Sequence, residues 1–327
     1  MMKRVKPHPR MGNRFTYDGL PIVAKAPHLN GDSLRRSVTR AADLLGGLDR
    51  VVARGDRVMI KPNFNCEFEI PLSTDLAFLC AVIECLQDLG ARVEVGEMSG
   101  RAAGPTDRVV RLLGVEPALK RYGVPFIDFE KDERLELEIG GTWWDVLHIP
   151  RSIYEAEKRI YLGNLRGHST GRYTASLKLS VGWISAEDRE ILHEDRENVG
   201  RKIPELNLGW QPDLVLIDGR RSTVSWHGRG DYVYPNVIMA SGDMVAIDAE
   251  AVRILKTYPA DNRLDLPLEE IEQICGAAAL GLGSIESVVL EAEANRSTEQ
   301  PDIHPRELTA YPKTKGGCAC DDRTDRS

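Results

Sequence analysis

Residues 58–97 read VMIKPNFNCEFEIPLSTDLAFLCAVIECLQDLGARVEVGE. Val58 to Ile60 is a short apolar run that breaks at Lys61-Pro62-Asn63, the pattern of a buried strand entering a loop. Thr74 stands before a strongly apolar helical run, Leu76 to Leu89, and Gly90 stops it. Arg92 to Val95 then forms a second strand, ending at Gly96-Glu97. Parallel neighbours need a crossover, so strand–helix–strand predicts a parallel sheet.

Working outward, residues 1–20 read as an irregular arm. Residues 33–47 read as a helix capped by Asp32 or Ser33 and ended by Gly46-Gly47. Downstream come short helices at Arg108–Leu113 and Pro117–Tyr122 and a strand at Pro125–Phe129. Leu135–Ile139 and Trp143–Ile149 alternate about Gly140-Gly141, a hairpin. A short helix at Ile153–Lys158 precedes a strand at Arg159–Leu162. Residues 163–182 read as an irregular Gly-rich loop that turns helical near Thr174, and 186–207 as a charged, solvated excursion. Strands are expected at Leu214–Ile217, Asn236–Ala240 and Ser287–Leu290, with helices at Met244–Leu255 and Leu268–Ala279. The fold class is α/β, with mixed, largely parallel sheets and flanking helices in two lobes. The two-lobed unit is expected over 21–292, with a lobe boundary at about 130–160 and a disordered polar tail over 293–327.

The chain has 327 residues, 42% of them hydrophobic and 28% charged, enough to bury a core without cross-links. The net charge of −7 argues against broad contact with a phosphate backbone, so nucleic acid is not an expected partner. No apolar run approaches the roughly 18 residues a membrane span needs, and the basic start lacks a signal sequence's apolar segment. The expected location is cytoplasmic and no membrane partner is expected. The six cysteines, Cys66, Cys80, Cys85, Cys275, Cys318 and Cys320, have no disulfide-framework spacing.

Four places at strand ends carry chemistry. Lys61 and Asn63 offer an ammonium and an amide for a substrate. Glu97 could serve as a base, a metal ligand or the partner of Lys61. In Gly167-His168-Ser169-Thr170-Gly171, glycines let backbone N–H groups approach an anion, and His168 can move a proton near neutral pH. Arg166 adds charge there. Thr170, Thr174 and Lys178 follow, the last two four apart and thus expected on one helix face. The fourth place joins Asp218-Gly219 to Ser241-Gly242-Asp243 and to Asp248. Asp243 reads as a helix cap, and Asp248 is a carboxylate on an apolar helix that needs a partner or a ligand. Glu97, Asp218 and Asp248 could hold a divalent metal. Trp226-His227-Gly228-Arg229-Gly230 reads as a loop able to cover a site.

Lys61-Pro62-Asn63, Gly96-Glu97, the run from Gly167 to Lys178 and the run from Ala240 to Ala249 resemble, in order and spacing, the domain of unknown function 362 family over about residues 55–290. Many members of that family carry a ferredoxin-like module with two iron–sulfur clusters, which implies redox-linked chemistry with a separate redox partner. The chain lacks the C-x-x-C-x-x-C run of such a module, so it has no iron–sulfur motif of its own. It departs from the family pattern in three further places. Arg166 stands where a Lys is usual, Leu179 follows Lys178 where an Asn is usual, and the Trp226 to Gly230 loop replaces a Gly-Pro.

The expected ligand is a small anion, a carboxylate or phosphate, with the cofactor undetermined. One reading is an enzyme, with His168 and Lys178 catalytic and Lys61, Asn63, Arg166, Thr170 and Thr174 binding the substrate. The other is a non-catalytic binding or accessory protein for an anionic cofactor or a metal.

Overall fold

The structure is a computed structural model that describes residues 2–10, 12–226 and 230–293. His227 to Arg229 of the covering loop, the tail from 294 and Cys318 and Cys320 lie outside the described residues. Among the described residues, Cys66, Cys80, Cys85 and Cys275 are in no disulfide.

The chain opens with strands Lys3–Val5 (β1), Thr16–Tyr17 (β2) and Leu20–Pro27 (β3), so two short strands fall in the stretch expected to be irregular. Helix Leu34–Asp43 (α1) is capped by the Ser33 hydroxyl, which accepts from the Arg36 N–H. Strand Arg57–Lys61 (β4), helix Leu76–Asp88 (α2) and strand Arg92–Glu97 (β5) form the unit read from the sequence. Asp75, not Thr74, caps α2, because its carboxylate accepts from the Phe78 N–H. Helices Thr106–Leu113 (α3) and Val115–Lys120 (α4) lead to strand Phe126–Asp128 (β6). The hairpin Arg134–Glu138 (β7) and Val146–Pro150 (β8) is antiparallel, with β1 added beside β7 in parallel.

Helix Arg151–Tyr154 (α5) precedes strand Lys158–His168 (β9), and strand Arg172–Thr174 (β10) folds back on its end. Helices Ala186–Glu194 (α6) and Val199–Lys202 (α7) follow. Then come strands Leu214–Thr223 (β11), Tyr232–Val233 (β12) and Val237–Ser241 (β13), helix Met244–Lys256 (α8), helix Glu272–Ala279 (α9) and strand Val288–Glu291 (β14).

The large sheet runs in the order β14-β3-β13-β11-β9-β4-β5-β6. Along this path β13 alone opposes its neighbours, pairing antiparallel with β11 and β3, while the other pairings are parallel. Side chains alternate across a strand, so one sheet makes two cores. Val58, Ile60, Ile160, Leu162, Leu214 and Leu216 pack with α1 and α2. Met59, Tyr161, Leu165, Val215 and Ile217 pack with α8 and α9. The stretch expected to hold a lobe boundary, 130–160, forms the small sheet and α5, and the large sheet continues past it through β9.

β9 is long because nearly all of it is buried. Position Lys61 of β4 lies opposite Tyr161, so β9 runs seven residues beyond β4, roughly 20 Å at strand rise. β11 accompanies it with a break in register: Asp218 faces Asn164, and Thr223 faces Arg166. The 186–207 stretch is not a solvated excursion, since Lys202, Glu205 and Asn207 are all buried. Among the described residues, no helix is long and apolar enough to cross a membrane.

Candidate functional site

The end of β9 carries the site. Residues 163–174 are not an irregular loop but a strand end and a hairpin, with Arg166, Gly167 and His168 opposite Thr174, Tyr173 and Arg172. Arg172 takes φ 63°, which lets the tight turn close. His168 Nδ1 accepts from the backbone N–H groups of Thr170 (3.2 Å) and Gly171 (3.1 Å), and the Thr170 hydroxyl lies 3.3 Å away. A backbone N–H can only donate, so the neutral imidazole carries its proton on Nε2. The glycine-rich turn therefore serves the histidine rather than offering its N–H groups to an anion.

No α-helix follows. Thr174 ends β10 and Lys178 lies in a 3-10 turn, Leu177–Gly182, so the two do not share a helix face. Asp248 of α8 holds the start of that turn. It accepts from Tyr173 Oη (3.0 Å), Ser176 N (2.7 Å), Ser176 Oγ (2.6 Å) and Leu177 N (3.1 Å). Burial pushes its pKa up to about 6 against the pull of these donors. A carboxylate so surrounded positions Lys178 by fixing the residues before it, and it is not placed as a metal ligand.

His168 is held well below the ordinary histidine range, first by burial and then by the charges of Lys178, Arg166 and His193. His193 of α6 is itself pulled down to about 4, by burial and by Lys178, Arg189, Arg196 and Lys202. Lys178 acts on both imidazoles. In a protein of net charge −7, the cations Lys178 and Arg166 thus lie near the imidazole at the end of β9. His193 and Lys202 escaped sequence reading because they sit in a stretch rich in charges of both signs, where spacing marks none of them.

Lys61 is elsewhere. It makes a buried ion pair with Glu97 (2.7 Å) and donates to the Pro62 carbonyl (2.8 Å). Glu97 also accepts from Phe64 N (3.0 Å) and Met98 N (2.8 Å). Burial drives the ammonium down and the carboxyl up, each opposed by its partner. Lys61 is therefore matched by Glu97, one of the roles open to that carboxylate.

Asn63 is engaged too. Its Nδ2 donates to Leu72 O (3.1 Å) and Asn164 Oδ1 (3.2 Å), lacing the loop after β4 to β9. Asp218 lies on the α1–α2 face, next to Leu216, and grips Arg220 (2.7 Å), which reaches Asp75 (3.2 Å). Asp248 belongs to the opposite face with α8. The structure does not bring Glu97, Asp218 and Asp248 together, and among the described residues no group of three His, Cys, Asp or Glu side chains is placed to hold a metal ion. Because β13 is reversed, Ser241-Gly242-Asp243 falls at the end of the sheet opposite His168, and Asp243 caps α8 through Val245 N and Ala246 N.

Comparison with known proteins finds similarities in sequence and in structure. The chain is 25% identical over 243 residues to the thylakoid-associated protein sll1697 of Synechocystis sp., covering 70% of this chain and 72% of that protein. It is similar to the solved lactate racemase apoprotein from Thermoanaerobacterium thermosaccharolyticum with a TM-score of 0.41 and 13% identity, over 69% of this chain. The chain spans 55% of that structure's length. Residues 58–253, which contain Lys61, His168, Lys178, His193 and Asp248, match the model of the domain of unknown function DUF362, and the chain belongs to that family.

Proposed function

We propose that this protein is an enzyme that binds a small anionic substrate, a carboxylate or phosphate, at the end of β9. The observation that carries the reading is the nearness of Lys178 and Arg166 to an imidazole whose Nδ1 is locked by the Thr170–Gly171 turn. The cations supply attraction. The fixed tautomer supplies an Nε2–H able to donate to a bound oxyanion and, in a reaction, to hand over a proton. Lys61, Asn63 and the metal role of the three carboxylates drop out of this reading. Redox coupling through a separate partner protein rests on the family resemblance alone.

A second reading is a carrier without turnover. It is favoured by the cations that suppress the basicity of His168, which suits a donor better than a base. NMR titration with phosphate and with acetate, following the two imidazoles, tests the shared claim. Saturable shifts of His168 and His193 that vanish in Lys178→Met support the site, and flat titrations of the wild-type protein with both anions remove it. Mass spectrometry of the small molecules retained by the native protein then supplies the ligand. With that ligand, His168→Gln separates the readings: an enzyme loses turnover but keeps affinity, whereas a carrier keeps its function.

A further inference from the structure

Antiparallel pairing sets Thr174 of β10 opposite Arg166, and parallel pairing sets Thr223 of β11 opposite the same residue. Register partners share a face of the sheet. The three side chains therefore stand abreast across β10, β9 and β11, on the face turned away from Leu165, Tyr173 and Val224. All three are buried, with Thr174 4%, Arg166 8% and Thr223 0% exposed.

The two hydroxyls are the unexpected part. Thr174 Oγ1 and Thr223 Oγ1 are both buried without a hydrogen-bond partner. Most buried polar side-chain atoms in native proteins are satisfied, and leaving one without a partner is destabilising. Here two such oxygens stand on either side of Arg166 in a single cross-strand row, and the Arg166 guanidinium also donates to the Gly167 carbonyl (3.4 Å). Valine would fill either position with the same shape. A hydroxyl can donate and a guanidinium can only donate, so the row presents donors side by side, the complement of an oxyanion.

We propose that Thr174, Arg166 and Thr223 form a buried oxyanion subsite that takes the carboxylate or phosphate group of the ligand. This rests on the anion-binding reading of the β9 end and adds Thr223, which lies outside the Gly167–Lys178 motif. Isothermal titration of Thr174→Val, Thr223→Val and the double variant with inorganic phosphate and with acetate tests it, beside thermal melting without anion. The expected result is about tenfold weaker binding for each single variant, about 1.4 kcal/mol. Melting temperatures without anion should be unchanged or higher, because an unsatisfied hydroxyl has been removed. Whichever anion binds wild-type protein more tightly identifies the group the row accepts. Wild-type affinity in both valine variants overturns the subsite, as does lower melting with unchanged affinity, the signature of hydroxyls satisfied by ordered water. If Lys178→Met weakens binding while the valine variants do not, the row fails and the anion site stands. If neither anion binds wild-type protein, both fail.

Discussion

Lys61 Nζ lies 2.7 Å from Glu97 Oε2, and the two side chains are 1% and 3% exposed. The pair ties the ends of β4 and β5 together and fixes the loops that leave them, through Pro62 O, Phe64 N and Met98 N. Its position opposite Tyr161 and against Gly182 makes it a clamp on the turn that carries Lys178.

Removing one member of a sealed pair leaves a bare charge in the interior. Lys61→Met and Glu97→Leu should each destabilise the protein by about 3–5 kcal/mol, whereas the double change should cost much less than their sum. Chemical denaturation of the three variants reads this directly. Additive losses would mean the two charges do not depend on each other.

Gly182 closes the clamp from above. A Cβ there would collide with Glu97 Oε1 and with Lys61 Nζ, and both are held by other contacts. Gly182→Ala should therefore cost about 1–3 kcal/mol, the usual penalty of overpacking, although the residue has no unusual φ. A melting curve that superimposes on that of the wild-type protein would contradict it.

Asp248 should leave a mark on the pH dependence of stability. Its carboxyl keeps a proton up to about 6 in the folded chain, against 3.8 as an ordinary carboxyl. Between those values the folded state binds more protons, so this group's contribution falls as pH rises from about 4 to about 6, by on the order of 2–3 kcal/mol. Asp248→Asn should lose that slope. Urea denaturation at pH 4, 5 and 6 compares the two proteins, and parallel pH profiles would refute the assignment.

Anion binding should carry protons with it. Burial first, and then the charges of Lys178 and Arg166, hold the His168 pKa down, so an anion that neutralises those charges lets it rise. Affinity should then increase as pH falls below the ordinary histidine range, with proton uptake on binding. Calorimetry in two buffers of different ionisation enthalpy measures the uptake, and His168→Gln should reduce it. Equal heats in both buffers for the wild-type protein would argue that the imidazole is not coupled to the ligand.

The strand–helix–strand unit at 58–97 was legible because β4 and β5 are short, apolar and bounded by strong breakers. Strand β3 was not, although it sits inside the sheet between β13 and β14. Its Pro21 and Pro27 and its position after an irregular start hide it. The Gly167–Gly171 run was readable as important but misread in form: glycines that suit a phosphate loop suit a tight hairpin equally well, and only pairing with β10 decides between them. Lys61 and Glu97 could be named from sequence, and even matched, but burial of the pair depends on Gly182, more than eighty positions away in the chain. The role of Asp248 depends on a turn from a different part of the sheet, which no local pattern encodes.

The break in register between β9 and β11 has a practical meaning. Five steps along β11, from Asp218 to Thr223, are matched to two along β9, from Asn164 to Arg166. An odd surplus reverses the parity of everything after it, which is how Thr223 comes to share a side with Arg166 while Val224 joins the α8 layer. Deleting one residue from Gly219–Ser222 would exchange those two side chains, placing an isopropyl group beside the guanidinium. Strand length at this point thus decides whether a hydroxyl or an apolar side chain stands beside Arg166.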